Sequence, residues 1–403
     1  MTTTRTLSDA SHRLTGGSRT LDFHDSRGLV SRAISRGRPG LYTSYASDSA
    51  LLNTPAKRWW TLVLLVIAVA APFLIAADLT YLLTLAVIYA LGGIGLNLLT
   101  GYAGQVSLGH AFFLGLGAYT AAVLGGAPGN VTWGLQWDLA LVLPAAAIVP
   151  GVIGLIVAPL ATRVRGLYLA VLTLGLLIVG EQLFKIMTPI TGGQGVGRGV
   201  AERTLFGVDL DATYAIGPLV IRPETSFFYL SLVLLVVLGI AARNLMRGRY
   251  GRAFAAVRDR DIAAEVMGVN LLRTKTLAFA LSSAYAGVAG ALFSMLIGRI
   301  APEQWNLFLS IDFLAVIVIG GIATISGTII GACFVVLIPR VLEELTHIIP
   351  WITVSSGGLV NVFQLQTIIF GVLIILFITL EPRGLYGLWV RVRNYFKAWP
   401  FSY

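Results

Sequence analysis

Ser107 and His110 are the first residues whose types and spacing could do chemistry: one helical turn apart, they would set a hydroxyl beside an imidazole. A nucleophile and its base need a third group to orient the base, and none stands near them in the chain. A helix start explains Ser107 as an N-cap, so no catalytic residue is assigned. Glu181 and Lys185, four residues apart, read as a self-neutralising helix pair rather than a proton relay. No chain of carboxylates runs through the apolar segments, which argues against a proton- or sodium-driven carrier. The single cysteine, Cys333, excludes an internal disulfide and a cysteine-built metal site. None of the four lysines follows a glycine, so no P-loop is present. No metal or cofactor is expected on this chain, and energy for active transport would have to come from another subunit.

What the sequence does offer is neutral polarity beside flexible backbone. The stretch GYAGQVSLGHAFFLGLGAYTAAVL (Gly101–Leu124) places Gln105, Ser107, His110 and five glycines within an apolar run. A second interruption, GGIATISG (Gly320–Gly327), carries Thr324 and Ser326. Irregular backbone at membrane depth is tolerated only inside protein or along a wet cavity. Gly101, Gly104, Gln105, Ser107, Gly109 and His110 are therefore expected to line a translocation path or its gate. Thr324 and Ser326 either join that lining or cap the following helix at a plain turn. On this reading leucine at Gly104 or Gly109 blocks the path, whereas loss of the Gln105 or His110 side chain is milder.

The elements that must position these residues are membrane helices. Hydrophobic residues make up 56% of the chain and charged ones 12%, with a mean hydropathy of +0.82, too little charge for a soluble surface. Apolar runs of roughly 20 residues suffice to cross a bilayer. They fall at 59–77, 79–99, 106–124, 139–161, 167–187, 227–245, 276–297 and 364–380, with 309–342 read as two short helices meeting at the second interruption. The expectation is an all-α polytopic membrane protein with about ten crossings. It divides into a disordered basic tail (1–58), a membrane domain (59–385) with loops at 188–226 and 246–275, and a tail (386–403).

Of the 29 basic residues, 23 fall on one side of this topology, which places both termini in the cytoplasm. Nucleic acid is not implied by the net charge of +10, because the charge follows the membrane topology. The loop 246–275 holds an apolar stripe at helical spacing: Ala253, Phe254, Val257, Ile262, Val266 and Met267. Arg252, Arg258, Asp259, Arg260 and Asp261 form the polar side, and Gly268 ends the helix as a C-cap. Such a helix either lies on the lipid surface or docks into a groove of a soluble partner.

These motifs resemble the branched-chain amino acid ABC transporter permeases, the LivH/LivM group. The resemblance rests on the 101–124 stretch, VRGLYLAVLTLG (164–175), TGGQGV (191–196), GRAFAAVRDRDIAAEVMGVNLLRTKTLAFALSSAYAGVAGAL (251–292), VIGGIATISGTIIGA (318–332) and EPRGL (381–385). The long TGG loop and the EPRGL ending look most like the M-type subunit. The resemblance implies a type II-like ABC importer permease in a bacterial plasma (inner) membrane. Its implied partners are a LivH-type second permease, two ABC ATPases that carry ATP and Mg, and an external solute-binding protein. It makes Arg252, Phe254, Val257, Arg258, Asp261, Ala264 and Gly268 the ATPase-coupling residues. The region departs from the EAA pattern of many such permeases, because DIAAEVMG sets Ala263 and Ala264 closer to Gly268. Urea or short-amide permeases share these motifs and remain the alternative. A lone channel has no use for a docking helix, and a membrane enzyme would need a site that the chain lacks.

Overall fold

The computed structural model describes residues 55–398 apart from 130, 165, 217–218, 347–351, 354–359 and 382. Residues 1–65 and 66–403 separate into two compact units, and of the first only 55–65 is described. The expected disordered tail thus lies almost wholly outside the described residues. Helix α1 (Pro55–Leu74) starts within it, ahead of the boundary read from the sequence.

Then come α2 (Ala77–Asn97), α3 (His110–Gly125), α4 (Leu139–Thr162), α5 (Leu167–Ile186) and α6 (Pro223–Arg247). The loop after α6 holds α7 (Arg249–Asp259) and α8 (Asp261–Val266), followed by α9 (Leu271–Ile297). The chain continues through α10 (Leu307–Gly320), α11 (Ile325–Thr346), α12 (Val362–Leu380) and α13 (Gly384–Ala398).

Local chemistry sets several of these boundaries. Asp138 starts α4 by accepting from Ala140 N at 2.8 Å, a bond that holds its carboxyl below its ordinary pKa. Asn270 accepts from Arg273 N at 2.9 Å to start α9, and Asn306 accepts from Leu309 N at 3.2 Å to start α10. Gly298, in the left-handed region, ends α9. At the centre, α9 buries most of the stretch from Ala278 to Met295 and packs on α2, α3 and α4. Close approach is possible because Gly287 and Gly290 leave room for the backbones of Ala146 and Leu114, which a Cβ would strike.

Among the described residues, six helical segments are long and apolar enough to cross a membrane: 77–102, 139–162, 167–186, 223–247, 271–297 and 302–320. The bent pair 371–380 and 384–395 makes a seventh candidate. The apolar segments at 59–74, 110–125 and 325–341 are shorter. The expected count of about ten crossings is thus not confirmed: six or seven of the described segments reach span length, and three further apolar helices are shorter. The glycine-rich stretches 101–109 and 320–327 lead into two of these shorter helices.

The interruption at Gly320–Gly327 does divide the segment into two helices. α10 and α11 pack together, Gly331 lying against the Val316 carbonyl. The loop 188–226 is not wholly irregular: two-residue strands pair at 204–205 with 208–209 and at 198–199 with 299–300. Arg198, 3% exposed, organises it by donating to the carbonyls of Ile190, Ala122 and Trp133 at 2.6–2.7 Å. The segment after 385 lies in α13 as far as residue 398, and Arg391 reaches back to Glu381 at 2.5 Å. Glu181 and Lys185 pair at 2.7 Å, as expected.

Candidate functional site

Three stretches far apart in sequence meet at the end of α2. The helix does not stop at Asn97 but widens into a π turn over Leu98–Tyr102, and the Gln105 N–H reaches back to Leu99 O at 3.0 Å. Asn97 is 1% exposed and uses its whole amide. Its Nδ2 donates to Thr324 O at 3.1 Å and to Thr328 Oγ1 at 2.8 Å, while its Oδ1 accepts from Ala323 N at 2.8 Å. Ala323 is held at φ 59°, an uncommon conformation for a residue with a Cβ, and the Asn97 bond anchors it there. The two breaks in the sequence are thus tied together by one side chain.

The helices of the 246–275 loop sit on the same place. Arg258 of α7 donates from Nη1 to Gly101 O at 3.1 Å. Gly104, at φ 69°, lies so close that a Cβ would stand 2.8 Å from Arg258 Cγ. Gln105, buried, donates from Nε2 to Lys275 O at 3.4 Å, and Lys275 pairs with Asp261 at 3.7 Å. A cavity of about 210 Å³ opens between the 103–105 turn, the facing ends of α4 and α5, and the α7–α8 junction. Gln105 lines it, with its Oε1 lacking a partner.

Ser107, Gly109 and His110 are packed within the chain. Gly109, not Ser107, is the N-cap residue of α3, which corrects the capping expectation. Ser107 accepts from Gly109 N at 3.3 Å, and the freed N–H of Ala111 donates to Ser310 Oγ at 3.0 Å. Gly109 abuts the Thr173 carbonyl, whose hydroxyl accepts from Leu108 N at 3.0 Å. His110 is 1% exposed, bonds through Nε2 to Gly92 O at 3.0 Å and meets the Phe313 ring edge-on. Thr324 donates back to Gly321 O at 2.7 Å instead of capping α11, and Ser326 lies exposed in the first turn.

The expected single helix over 252–267 is two helices. Arg260 is extended (φ −155°) between them. Asp261 spends its carboxylate on Ile262 N (2.9 Å) and Lys275, a local competition that interrupts the helix. The apolar stripe divides accordingly: Phe254, Val257 and Ala264 are buried within the chain, whereas Ile262, Val266 and Met267 are 63%, 81% and 83% exposed. Arg252 also faces out. Gly268 ends α8 as expected, with its N–H on Glu265 O (2.9 Å) and that of Val269 on Ala264 O (3.0 Å), a Schellman arrangement.

Asn97, Thr173, Ser310 and Thr328 carry this site and were not singled out from sequence. The signal available was a lone amide, Asn97, inside an otherwise apolar run. Among the described residues no group of His, Cys, Asp and Glu could hold a metal ion.

Residues 79–378 match the family model described as the permease component of the branched-chain amino acid transport system. The chain is 33% identical over 305 residues to the high-affinity branched-chain amino acid transport system permease protein LivM of Escherichia coli, covering 72% of this chain and 70% of that protein. The LivM protein of Salmonella typhimurium matches with the same figures. The autoinducer 2 import system permease protein LsrC of an Enterobacter species is 38% identical over 105 residues, 26% of this chain and 30% of that one. No solved structure matches the chain.

Proposed function

The chain belongs to the branched-chain amino acid transport permease family, and on that premise we propose that it is the membrane subunit of an ATP-driven, binding-protein-dependent importer of branched-chain amino acids. It forms the path together with a LivH-type second permease. Two ATPase subunits hold the ATP and Mg, and an external solute-binding protein delivers the cargo. The family description and both LivM relatives name branched-chain amino acids, which favours this cargo over urea or short amides.

The observation that carries the reading is the seating of α7 and α8. A docking element is useful only if its movement reaches the membrane helices. Arg258 holds Gly101 O and Gly104 lies against it, so displacement of α7 must pull on the π turn at the end of α2. Through Asn97 the same displacement reaches the break between α10 and α11. The buried glycines and polar groups then serve as the joint of a gate rather than as its wall. The ATPase-facing surface is the exposed apolar face of α8, with Ile262, Val266 and Met267. Positive charge on the loops around α7–α8 and after α12 supports a cytoplasmic location for this face and for both termini.

Co-purification through a tag on this chain tests the assembly. Recovery of a second permease and two ATPases per complex supports it, whereas a chain isolated alone from cells that express all subunits opposes it.

A further inference from the structure

The last helix carries features that neither the gate joint nor the face of α8 uses. α13 leaves α12 at a bend of 45°. Gly384 and Gly387 are buried where the helix packs on α10 and α11. At 3.6 residues per turn, Leu388, Val392 and Tyr395 share one stripe and Trp389 widens it. All four are exposed. By the same period Arg391 and Arg393 stand on the two borders of that stripe.

The charge along this helix has one sign. From residue 382 to 403 the chain holds Arg383, Arg391, Arg393 and Lys397 and no acidic residue. Arg391 is engaged by Glu381. The guanidinium groups of Arg383 and Arg393 have no hydrogen bond or ion pair among the described residues, and Arg393 Nε is buried without a partner. An exposed apolar stripe that bears Trp and Tyr and is edged by cations matches the boundary layer of a bilayer. There the apolar side enters the acyl region, the aromatic rings sit at headgroup level and the arginines reach phosphates. α12 leads into this surface with exposed Val372, Ile375, Ile378 and Leu380, the outward face of a membrane helix. A groove in a soluble partner would cover the stripe but would have to bring its own acids for the cations. Anionic headgroups supply that charge along the whole helix.

We propose that α13 seats on the cytoplasmic membrane surface, binds anionic phospholipid headgroups and thereby steadies the break between α10 and α11. The link to the break is short. Gly384, at φ 60°, lies so close that a Cβ would stand 2.6 Å from Ile319 O and 2.7 Å from Gly321 N. A Cβ on Gly321 would in turn stand 2.7 Å from Arg383 O. The first turn of α13 therefore cannot shift without moving the joint that Asn97 holds through Ala323. Lipid that fixes α13 favours the arrangement in which this joint is closed up, and lipid charge becomes a condition of efficient coupling. The cytoplasmic placement and the leucine readout rest on the function proposed above.

The test uses the complete complex, with both permeases, the ATPases and the binding protein, in proteoliposomes of phosphatidylcholine alone or mixed with phosphatidylglycerol. A fluorophore on Val392→Cys, in a Cys333→Ala chain with cysteine-free partners, reports what surrounds the stripe. It should be quenched by lipids spin-labelled near the headgroup, several-fold more strongly when phosphatidylglycerol is present. Leucine moved per ATP should fall several-fold in phosphatidylcholine alone, and also in the mixed lipid when Arg383→Gln and Arg393→Gln are combined. Arg383→Lys with Arg393→Lys, which keep the charge, should retain the wild-type ratio. A fluorophore that lipid never quenches would overturn the proposal and set the stripe against a partner subunit. Quenching indifferent to phosphatidylglycerol, or a leucine-to-ATP ratio unchanged by lipid charge and by the double glutamine substitution, would overturn it as well. Absence of leucine uptake in every lipid counts instead against the importer reading, since the quenching does not depend on cargo.

Discussion

A histidine among apolar helices is costly unless its ring finds partners, and His110 finds them in the Gly92 carbonyl and the Phe313 ring. Its sequence context fits a path-lining residue equally well, because the partners come from α2 and α10 and no local pattern names them. Its burial and partners argue for a larger cost to stability than a replaceable lining group would carry. His110→Ala should destabilise the purified chain by about 2–4 kcal/mol, the usual range for emptying a buried site, read as a lowered midpoint of unfolding in detergent. Gly109→Leu should also be severe, since its Cβ would stand 2.6 Å from the Thr173 carbonyl. Asn97→Leu removes the acceptor for Ala323 N, a loss of about 1–3 kcal/mol. The resulting complexes should hydrolyse ATP with less leucine moved per ATP. An unchanged ratio would make Asn97 a packing residue only.

Between elements, the decisive contrast lies within one apolar stripe. Spacing alone joins Phe254, Val257, Ile262, Val266 and Met267 on a single face. The extended backbone at Arg260 rotates the second part away from the first, so Phe254 enters the core and Ile262 faces out. Phe254→Asp should therefore deplete the chain itself from the membrane, because an unpaired buried carboxylate is expensive. Ile262→Asp and Met267→Asp should leave the chain at normal abundance but lose the ATPases on co-purification. Equal loss of the ATPases from a normally abundant Phe254→Asp chain would return the docking face to α7. The stop at Gly268 was legible because glycine at C′ is a local rule. The break at Arg260 was not, because it depends on Asp261 meeting Lys275 fourteen residues on.

For the whole molecule, apolar runs and flanking charge reveal a polytopic membrane protein, and the family match over 79–378 agrees. The span count is less legible, because the breaks after α2 and at Gly320–Gly327 divide apolar runs that read as continuous letters. Topology has its own check on a Cys333→Ala background. Single cysteines at Ser18 and Arg393 should be labelled only from the cytoplasmic side, and one at Gly129 only from outside; labelling of the two ends from opposite faces would mean an odd number of crossings. The central claim is that this chain passes branched-chain amino acids when ATPases pull on the α7–α8 pair. Uptake of labelled leucine into vesicles that carry the full complex tests it most directly. The expected result is accumulation that requires ATP inside the assay and loaded binding protein, and that is lost when the Ile262→Asp chain replaces the wild type. Leucine entry that proceeds without ATP, or accumulation of urea in place of leucine, would contradict it.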